Sequence, residues 1–435
     1  MTVTLGSRPL EQRYADLAAY KNTNLQEASA FSAERSAYEE GVAEGLNPVL
    51  ETSERAIEEL DLARLNEHGI KSAAIYIHYQ MQRGSYLPRT WRTHPLHLCP
   101  ADPFSWDDPS TLACLNWIFF ISSLNFSFWS ELEGQPGRYG VEWREGWGEE
   151  RTVVHTGYWS LVAAVDRALE EGIPITDPAF YASEGCCTDS LIEHVFRPAS
   201  QSAETIPLLR ERIAILREVG TILCQEFGGS FYGFVQAFRR RYSDRGTALQ
   251  LVKMVADTFP PFRDEHVLNG RRRVYMWKRA QILVAETWAA FYPEGASTPH
   301  PLFPAGPAIH ELTMFADYRV PQILHHLRML IYPPSLVKLL NSRTPLASGS
   351  PEELSIRAAS VVAVDRVRQE ILRIISDEES GEGQSGRAGE DAVSSVMIDF
   401  YLWDLAKRVE GRPEGVEGIE TDAILPIHRT RSIWY

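Results

Sequence analysis

The segment from Pro109 to Ser130, PSTLACLNWIFFISSLNFSFWS, contains no charged side chain and is long enough to span a bilayer. A chain with such a segment must place it in a membrane or bury it in a protein core. Asn116, Ser122 and Asn125 interrupt the apolar run, and no basic flank marks a cytoplasmic side. We therefore predict a buried helix that runs into a polar turn, and a chain without a membrane partner.

Apolar residues at helical spacing predict a mainly α fold for the rest of the chain. The predicted helices are Leu60–Gln80 with a turn at Gly69, Tyr158–Glu171, Ile206–Phe227, Phe231–Arg241, Thr247–Phe259, Lys278–Tyr292, Arg319–Tyr332, Pro351–Ile375 and Ser394–Val409. Val141–Arg144 and Arg151–Thr156 alternate or are β-branched around two glycines, which predicts one small β-hairpin.

These elements indicate one large helical domain over residues 45–435, with two additions. Residues 1–44 are rich in Ala, Glu and Ser but poor in large aliphatic residues, which predicts an appended helical arm. The polar, Gly- and Ser-rich segment 377–393 predicts a solvated insertion loop. The tail Ile424–Tyr435 ends in Ile-Trp-Tyr, and we expect it to dock on the core because it is too apolar to remain in solvent.

Charge and cysteine content narrow the possible partners and the compartment. The formal net charge of −15 disfavours stable binding to nucleic acid, although the runs Arg239–Arg241 and Arg271–Arg273 keep a tRNA-binding or scaffold protein as an alternative. The five cysteines form no CxxC pair and no zinc spacing, and the beginning of the chain has no secretory signal. We therefore expect a cytoplasmic protein without a bound metal.

Two carboxylates stand in an apolar, aromatic segment near the end of the chain, MIDFYLWD at 397–404. On a helix, Asp399 and Asp404 would lie about 140° apart with Phe400 between them. A carboxylate in such surroundings suits acid or base chemistry or the binding of a cation. The alternative is structural: these acids cap neighbouring helices or pair with Arg429 or Arg431.

A second acid, Asp317, stands in the apolar segment MFADYRVP at 314–321, next to Phe315. It is a candidate ligand contact, but it could equally cap the following helix or pair with Arg319. Lys278 opens another predicted helix, where an anion would gain from both its charge and the free N–H groups. The alternative for Lys278 is a bridge to a surface acid.

Aromatic residues supply candidate walls for a flat ligand. In LNFSFW (124–129), Asn125 and Trp129 combine an amide with aromatic surface, although the same segment could be plain core. His97 lies in an apolar loop, where a histidine is more often a structural hydrogen-bond donor than a ligand contact.

Taken together, several of these segments resemble the queuosine salvage proteins, which are queuosine 5′-phosphate N-glycosylases. The resemblance runs in order from about residue 45 to the end, and its motifs are LNFSFW (124–129), GYWSL (157–161), FGGSF (227–231), KRAQILVAETW (278–288), MFADYRVPQ (314–322), IDFYLWD (398–404) and HRTRSIWY (428–435). It implies a helical fold similar to that of DNA glycosylases, no cofactor or metal, and hydrolysis of queuosine 5′-monophosphate to release the base queuine.

The resemblance also implies roles for individual residues. Asp399 matches the family's catalytic acid, and Lys278 matches a lysine expected to hold the 5′-phosphate. The remaining matches are positions that contact the ligand in the family: His97, Phe315, Asp317, Phe400 and Asp404. Two departures are Phe400, where relatives often have tyrosine, and Glu286, which replaces a frequent aspartate. A hydrolase of another modified nucleotide remains an alternative.

Overall fold

The computed structural model describes residues 47–295, 298–382, 393–410 and 415–435 of the chain, without the side chains of 379–382. Helices make up most of the described residues. In chain order they are α1 Pro48–Leu60, α2 Glu67–Arg83, α3 Pro109–Ser123, α4 Tyr158–Glu170, α5 Pro178–Tyr181, α6 Asp189–Val195, α7 Leu209–Glu226, α8 Phe231–Arg241, α9 Ala248–Thr258, α10 Lys278–Ala290, α11 Arg319–His326, α12 Pro334–Asn341, α13 Pro351–Glu382 and α14 Ser395–Val409. This confirms the mainly α fold.

The strands are short and form antiparallel pairs. They are β1 Arg64–Leu65, β2 Gly140–Arg144, β3 Thr152–Thr156, β4 Glu265–Leu268, β5 Arg272–Tyr275 and β6 Leu330–Ile331, paired as β1 with β6, β2 with β3, and β4 with β5. The β2–β3 pair confirms the predicted hairpin, with Gly140 opposite Thr156 and Arg144 opposite Thr152. The β4–β5 hairpin was not predicted, and it carries part of the second arginine run.

The uncharged segment forms a buried helix, as predicted. Asp108 caps α3 by accepting a hydrogen bond from the Ser110 N–H, and Pro109 occupies the first turn, where a proline fits. Trp117 and Phe120 are fully buried, and a turn without regular structure follows over 124–129. In the described part of the chain, no helix has the length and apolar character needed to cross a membrane.

Helix α10 lies at the centre of the core, because every one of its residues is buried. It packs against α3, α9 and the 3₁₀ turn Pro88–Thr93. Arg279 is satisfied by the carbonyl oxygens of Ser123 and Pro261, so its guanidinium connects these segments and has a structural role. The core therefore fixes the orientation of α10, whose Lys278 and Glu286 line a cavity.

The tail docks on the core, as predicted. Tyr435 is fully buried, its carbonyl accepts a hydrogen bond from the Ser127 N–H, and its hydroxyl pairs with His428. The tail therefore packs along the 124–129 turn and holds it in place.

Three predicted boundaries were wrong for tertiary reasons. Gly69 lies inside α2, where a Cβ would collide with the carbonyl of Arg328, so the glycine permits a close approach and does not make a turn. The helix that begins at Arg319 ends at His326, because Leu330–Ile331 pairs with β1. Helix α13 continues through the start of the predicted 377–393 loop to Glu382. The remainder of that loop over 383–392, and the predicted arm over 1–44, lie outside the described residues.

Candidate active site

A cavity of about 310 Å³ opens between α10, α14, the start of α4, the 88–97 segment and the loop before α11. Eight of the nine residues proposed from the sequence line it. They are His97, Asn125, Lys278, Phe315, Asp317, Asp399, Phe400 and Asp404. Segments far apart in the chain thus meet at one site, because the central helix α10 and the tail-side helix α14 both present polar residues to it.

Trp129 does not line the cavity, so its proposed role as a stacking wall was wrong. Its indole N–H donates to the Thr430 carbonyl at 2.8 Å, and the Arg431 guanidinium lies 3.5 Å from its ring centre. The residue holds the tail instead. Phe128, its neighbour, lines the cavity.

The two principal helices present residues at one-turn spacing. Lys278, Ile282 and Glu286 line the cavity from α10, while Asp399, Trp403 and Lys407 line it from α14. Residues four apart lie on one helical face, so each helix forms one wall of the cavity.

At one end of the cavity, two carboxylates are held by backbone groups. The Phe315 N–H donates to Asp399 Oδ1 at 3.0 Å, and the Arg319 and Val320 N–H groups each donate to Asp317 Oδ1 at 2.8 Å. Asp317 thus caps α11, as its structural alternative proposed, and still lines the cavity. One function does not exclude the other, because a carboxylate has two oxygens.

The pKa of Asp399 is raised well above its usual range, first by burial and then by the charge of Asp317. The Phe315 N–H and Lys278 oppose this rise in pKa. Burial also raises the pKa of Asp317, against the charge of Lys278 and the two backbone N–H groups. The charge of Asp317 therefore disfavours the ionised form of Asp399, while Lys278 favours the ionised form of both acids.

Lys278 lies beside these acids. Its Nζ donates to the Asn125 carbonyl at 3.2 Å, and burial lowers its pKa to about 8, with the charge of Asp317 acting in the opposite direction. Lys278 makes no bridge to a surface acid among the described residues. Its position makes it the counter-charge of these two carboxylates.

Asp404 lies one turn beyond Phe400 and has a separate partner. The Tyr86 hydroxyl donates to Asp404 Oδ2 at 2.7 Å, and burial raises the pKa of Asp404. Neither proposed arginine partner is involved, because Arg429 pairs with Glu131 and Arg431 binds the carbonyls of the 124–129 turn.

Aromatic rings provide the remaining walls. The ring centres of Phe315 and Phe400 are 5.9 Å apart, and Tyr158 and Trp159 each pack edge-on against Trp403. Such walls suit a flat heterocycle, whose position the nearby carboxylates would fix through hydrogen bonds.

His97 lines the cavity as a neutral imidazole. Its ring stacks on Trp91, its Nδ1 lies 2.6 Å from the Trp91 carbonyl, and burial, with the nearby His94, lowers its pKa to about 3. Because Nδ1 must then carry the proton that the carbonyl accepts, Nε2 is an acceptor. That Nε2 atom is buried and has no hydrogen-bond partner among the described residues.

Glu286 is a cavity residue that sequence reasoning noted only as a departure from the family. Its Oε1 accepts a hydrogen bond from the Tyr158 hydroxyl at 3.3 Å, and hydrogen bonding by Tyr158, Trp91 and Ser122 opposes the rise of its pKa. Burial raises the pKa of Glu286 to about 8, so it is mainly protonated at neutral pH. The eight-residue spacing from Lys278 was the available sequence signal.

Glu286→Gln is expected to flatten the pH dependence of stability. The folded pKa is about 8 and the usual value is 4.5, so unfolded protein releases this proton at lower pH. The protonated acid makes its full contribution to the free energy of unfolding below about pH 4.5, and this contribution declines as the pH rises to about 8. Between pH 5 and 8, wild type should lose about 1–3 kcal/mol of unfolding free energy relative to the variant.

Urea unfolding at several pH values measures this difference, with Glu226→Gln, a change at an exposed acid on α7, as the control. Parallel stability curves for wild type and Glu286→Gln would show that Glu286 titrates normally.

Comparisons with known proteins identify a family and several relatives of this chain. Residues 106–435 match the family described as queuosine salvage protein. A relative from Schizosaccharomyces pombe is 36% identical over 86% of this chain and 95% of its own length. Relatives from Mus musculus and Sphaerobacter thermophilus are 38% and 33% identical, over 74% and 89% of this chain and 82% and 97% of their own lengths.

All three relatives are named queuosine 5′-phosphate N-glycosylase/hydrolase. The matched region contains α10, the loop before α11 and α14, which supply Lys278, Asp317 and Asp399. On this extent of similarity, the chain belongs to the queuosine salvage protein family.

Proposed function

We propose that this protein hydrolyses the N-glycosidic bond of queuosine 5′-monophosphate and releases the base queuine for salvage. The observation that carries this proposal is a pair of carboxylates, the buried Asp399 and the half-buried Asp317, beside Phe315 and Phe400 in one cavity. The names of the relatives supply the substrate. The cavity volume of about 310 Å³ lies at the lower end of the range for small-molecule sites.

In this proposal Asp399 is the catalytic residue. Cleavage of an N-riboside develops positive charge on the sugar ring, and a fixed carboxylate stabilises that charge. The Phe315 N–H fixes one oxygen of Asp399. Its second oxygen is then available to orient the attacking water and to accept its proton. The water oxygen bonds to C1′ as the C1′–N bond breaks, the electron pair of that bond leaves on the base, and the base takes up a proton to become neutral queuine.

Asp317 and Asp404 recognise the base. The second oxygen of Asp317 accepts from the ring N–H and amino groups of the pyrimidine edge, while Phe315 and Phe400 stack on the ring. Asp404, with Tyr86, is placed for the secondary ammonium or the diol of queuine. Because queuine has carbon where purines have N7, hydrogen bonds at other positions must assist its departure. Glu286 and His97 are further polar groups of the same cavity.

The proposal treats residues 45–435 as one catalytic domain, and the single compact unit Val49–Tyr435 supports this. It takes a small molecule, and no nucleic acid, as the stable partner. In the arginine runs, Arg239 pairs with Asp244, Arg272 with Glu59 and Arg273 with Glu265, so these residues form ion pairs. The cytoplasm remains our proposed location.

Incubation of the purified protein with queuosine 5′-monophosphate tests the proposal, with free queuine detected by mass spectrometry. Guanosine 5′-monophosphate, which has N7 and lacks the cyclopentenediol arm, is the matched control substrate. We expect queuine from the first substrate and little or no guanine from the second. Cleavage of another modified nucleotide without release of queuine would favour the alternative hydrolase, and RNA binding without any cleavage would favour the scaffold.

A further inference from the structure

The amino end of α4 faces the candidate active-site cavity. Gly157, Tyr158 and Trp159 line the cavity, and α4 continues to Glu170. The Ser160 N–H donates to the Gly157 carbonyl at 3.1 Å, so the N–H groups of Tyr158 and Trp159 are the first-turn donors that remain, at the positive end of the helix dipole. Gly157 has a φ of 64°, in the left-handed region that favours glycine, so its lack of a side chain keeps this helix end open.

Two cationic side chains converge on the same helix end. Lys407 Nζ and Arg138 Nη2 each lie 3.7 Å from the point where a Cβ on Gly157 would stand. The Arg138 side chain is 10% exposed, and its Nε is buried without a hydrogen-bond partner among the described residues. An anion placed between these cations would gain from their charge and from the dipole of the helix end.

Lys407 and Arg138 each form an ion pair with an acid of the protein. Glu410 accepts from Lys407 Nζ at 3.0 Å, and Glu133 accepts from Arg138 Nη1 at 2.7 Å. Arg319 bridges both carboxylates at 2.8 and 2.7 Å. Among these five side chains three cations face two carboxylates, and Asp317 also interacts electrostatically with Arg319.

The part of the cavity around Lys278 carries acids instead of a cluster of cations. Lys278 lies near Asp317 and Asp399, and a phosphate bound to it would meet two carboxylates. This arrangement disfavours Lys278 as the phosphate ligand that the family resemblance implied.

The spacing along α14 fits one nucleotide between the two ends. Lys407 follows Asp399 by eight residues, which is about 12 Å along the helix axis. A lysine side chain on a helix leans towards the helix amino end, so the ammonium of Lys407 lies closer to Asp399 along the axis than its Cα does. A ribose with C1′ at Asp399 would then direct its 5′ carbon towards Lys407.

We propose that the 5′-phosphate of the nucleotide substrate binds at the amino end of α4, held by Lys407, Arg138 and the N–H groups of Tyr158 and Trp159. This inference rests on the proposed function. It makes Lys407 a specificity-determining residue that distinguishes the nucleotide from the nucleoside.

The test compares two ligands in an inactive background. Binding of queuosine 5′-monophosphate and of queuosine is measured by calorimetry with Asp399→Asn alone and with Lys407→Met, Lys407→Gln, Lys278→Met or Lys338→Ala added. Lys338 is an exposed lysine on α12, far from any proposed role, and serves as the matched control. Circular dichroism checks that each variant is folded.

We expect both Lys407 variants to weaken monophosphate binding roughly 10- to 100-fold while changing nucleoside binding by less than about threefold. Lys338→Ala should change neither. Equal weakening of both ligands by Lys407→Met and Lys407→Gln, or an unchanged affinity for both, would overturn the inference. If Lys278→Met alone selectively weakened monophosphate binding, the phosphate would be assigned to Lys278. Failure of wild type to release queuine would instead reject the proposed function, independently of these binding ratios.

Discussion

Asp399→Asn is expected to lower kcat for queuosine 5′-monophosphate by roughly 10³- to 10⁴-fold. The amide has nearly the shape of the carboxylate but carries no charge to stabilise the developing positive charge of the ribose. It also cannot accept a proton from the attacking water. The fold should persist, because the amide oxygen can still accept the hydrogen bond from the Phe315 N–H.

Steady-state release of queuine measures this effect, and thermal unfolding checks the fold. Asp107→Asn, a change at an exposed acid outside the cavity, is the matched control and should retain full activity. A variant that melts at a much lower temperature would identify Asp399 as a structural acid. A folded variant with nearly normal kcat would remove it from the chemistry.

Asp317→Asn is expected to lower kcat/KM by about 10²-fold or more, with little change in stability. The amide oxygen can still accept from the Arg319 and Val320 N–H groups, so the cap of α11 is kept. The second oxygen becomes an NH₂ group, which would face the donors of the base. Two donors that face each other cannot form a hydrogen bond, so the NH₂ group of the variant and the N–H groups of the base would both be left unsatisfied.

Asp317→Ala separates the two functions of this residue. It removes the cap as well, so it should cost about 1 kcal/mol of stability that the Asn variant retains. Unfolding free energy and kcat/KM are measured for both variants. If Asn and Ala lower stability equally and activity falls only in proportion, Asp317 is a helix cap without a role in recognition.

The helices that the sequence predicted well are those with local signals at both ends. Helix α8 has the predicted limits, because Ser230 caps its start and the repeated apolar face ends at Phe238. The β2–β3 hairpin was likewise predicted from alternation and glycine-rich turn residues. Such signals act within a few residues and need no knowledge of the fold.

Tertiary contacts decided the rest. Gly69 resembles a turn residue, but the backbone at Arg328 packs against it inside a helix. The pairing of β1 with β6 joins segments far apart in sequence, and no local pattern predicts it. The similarity to DNA glycosylases that the resemblance implied remains a prediction.

The candidate site shows the same division. The 397–404 segment predicted two cavity-lining acids on either side of Phe400, and the structure places all three residues there. In contrast, the choice between Phe128 and Trp129 depended on how the tail packs against their turn. Lys407 was not predicted because it lies one turn beyond Asp404, the last acid of the 397–404 segment. Its spacing from Asp399 nevertheless places it on the same helical face.

The most direct test of the account is the release of queuine from queuosine 5′-monophosphate, measured side by side for wild type and Asp399→Asn at matched folded concentration. We expect steady multiple turnover by wild type and a rate at least about 10³-fold lower for the variant. Equal rates of queuine release from the two folded proteins, or none from wild type, would contradict it.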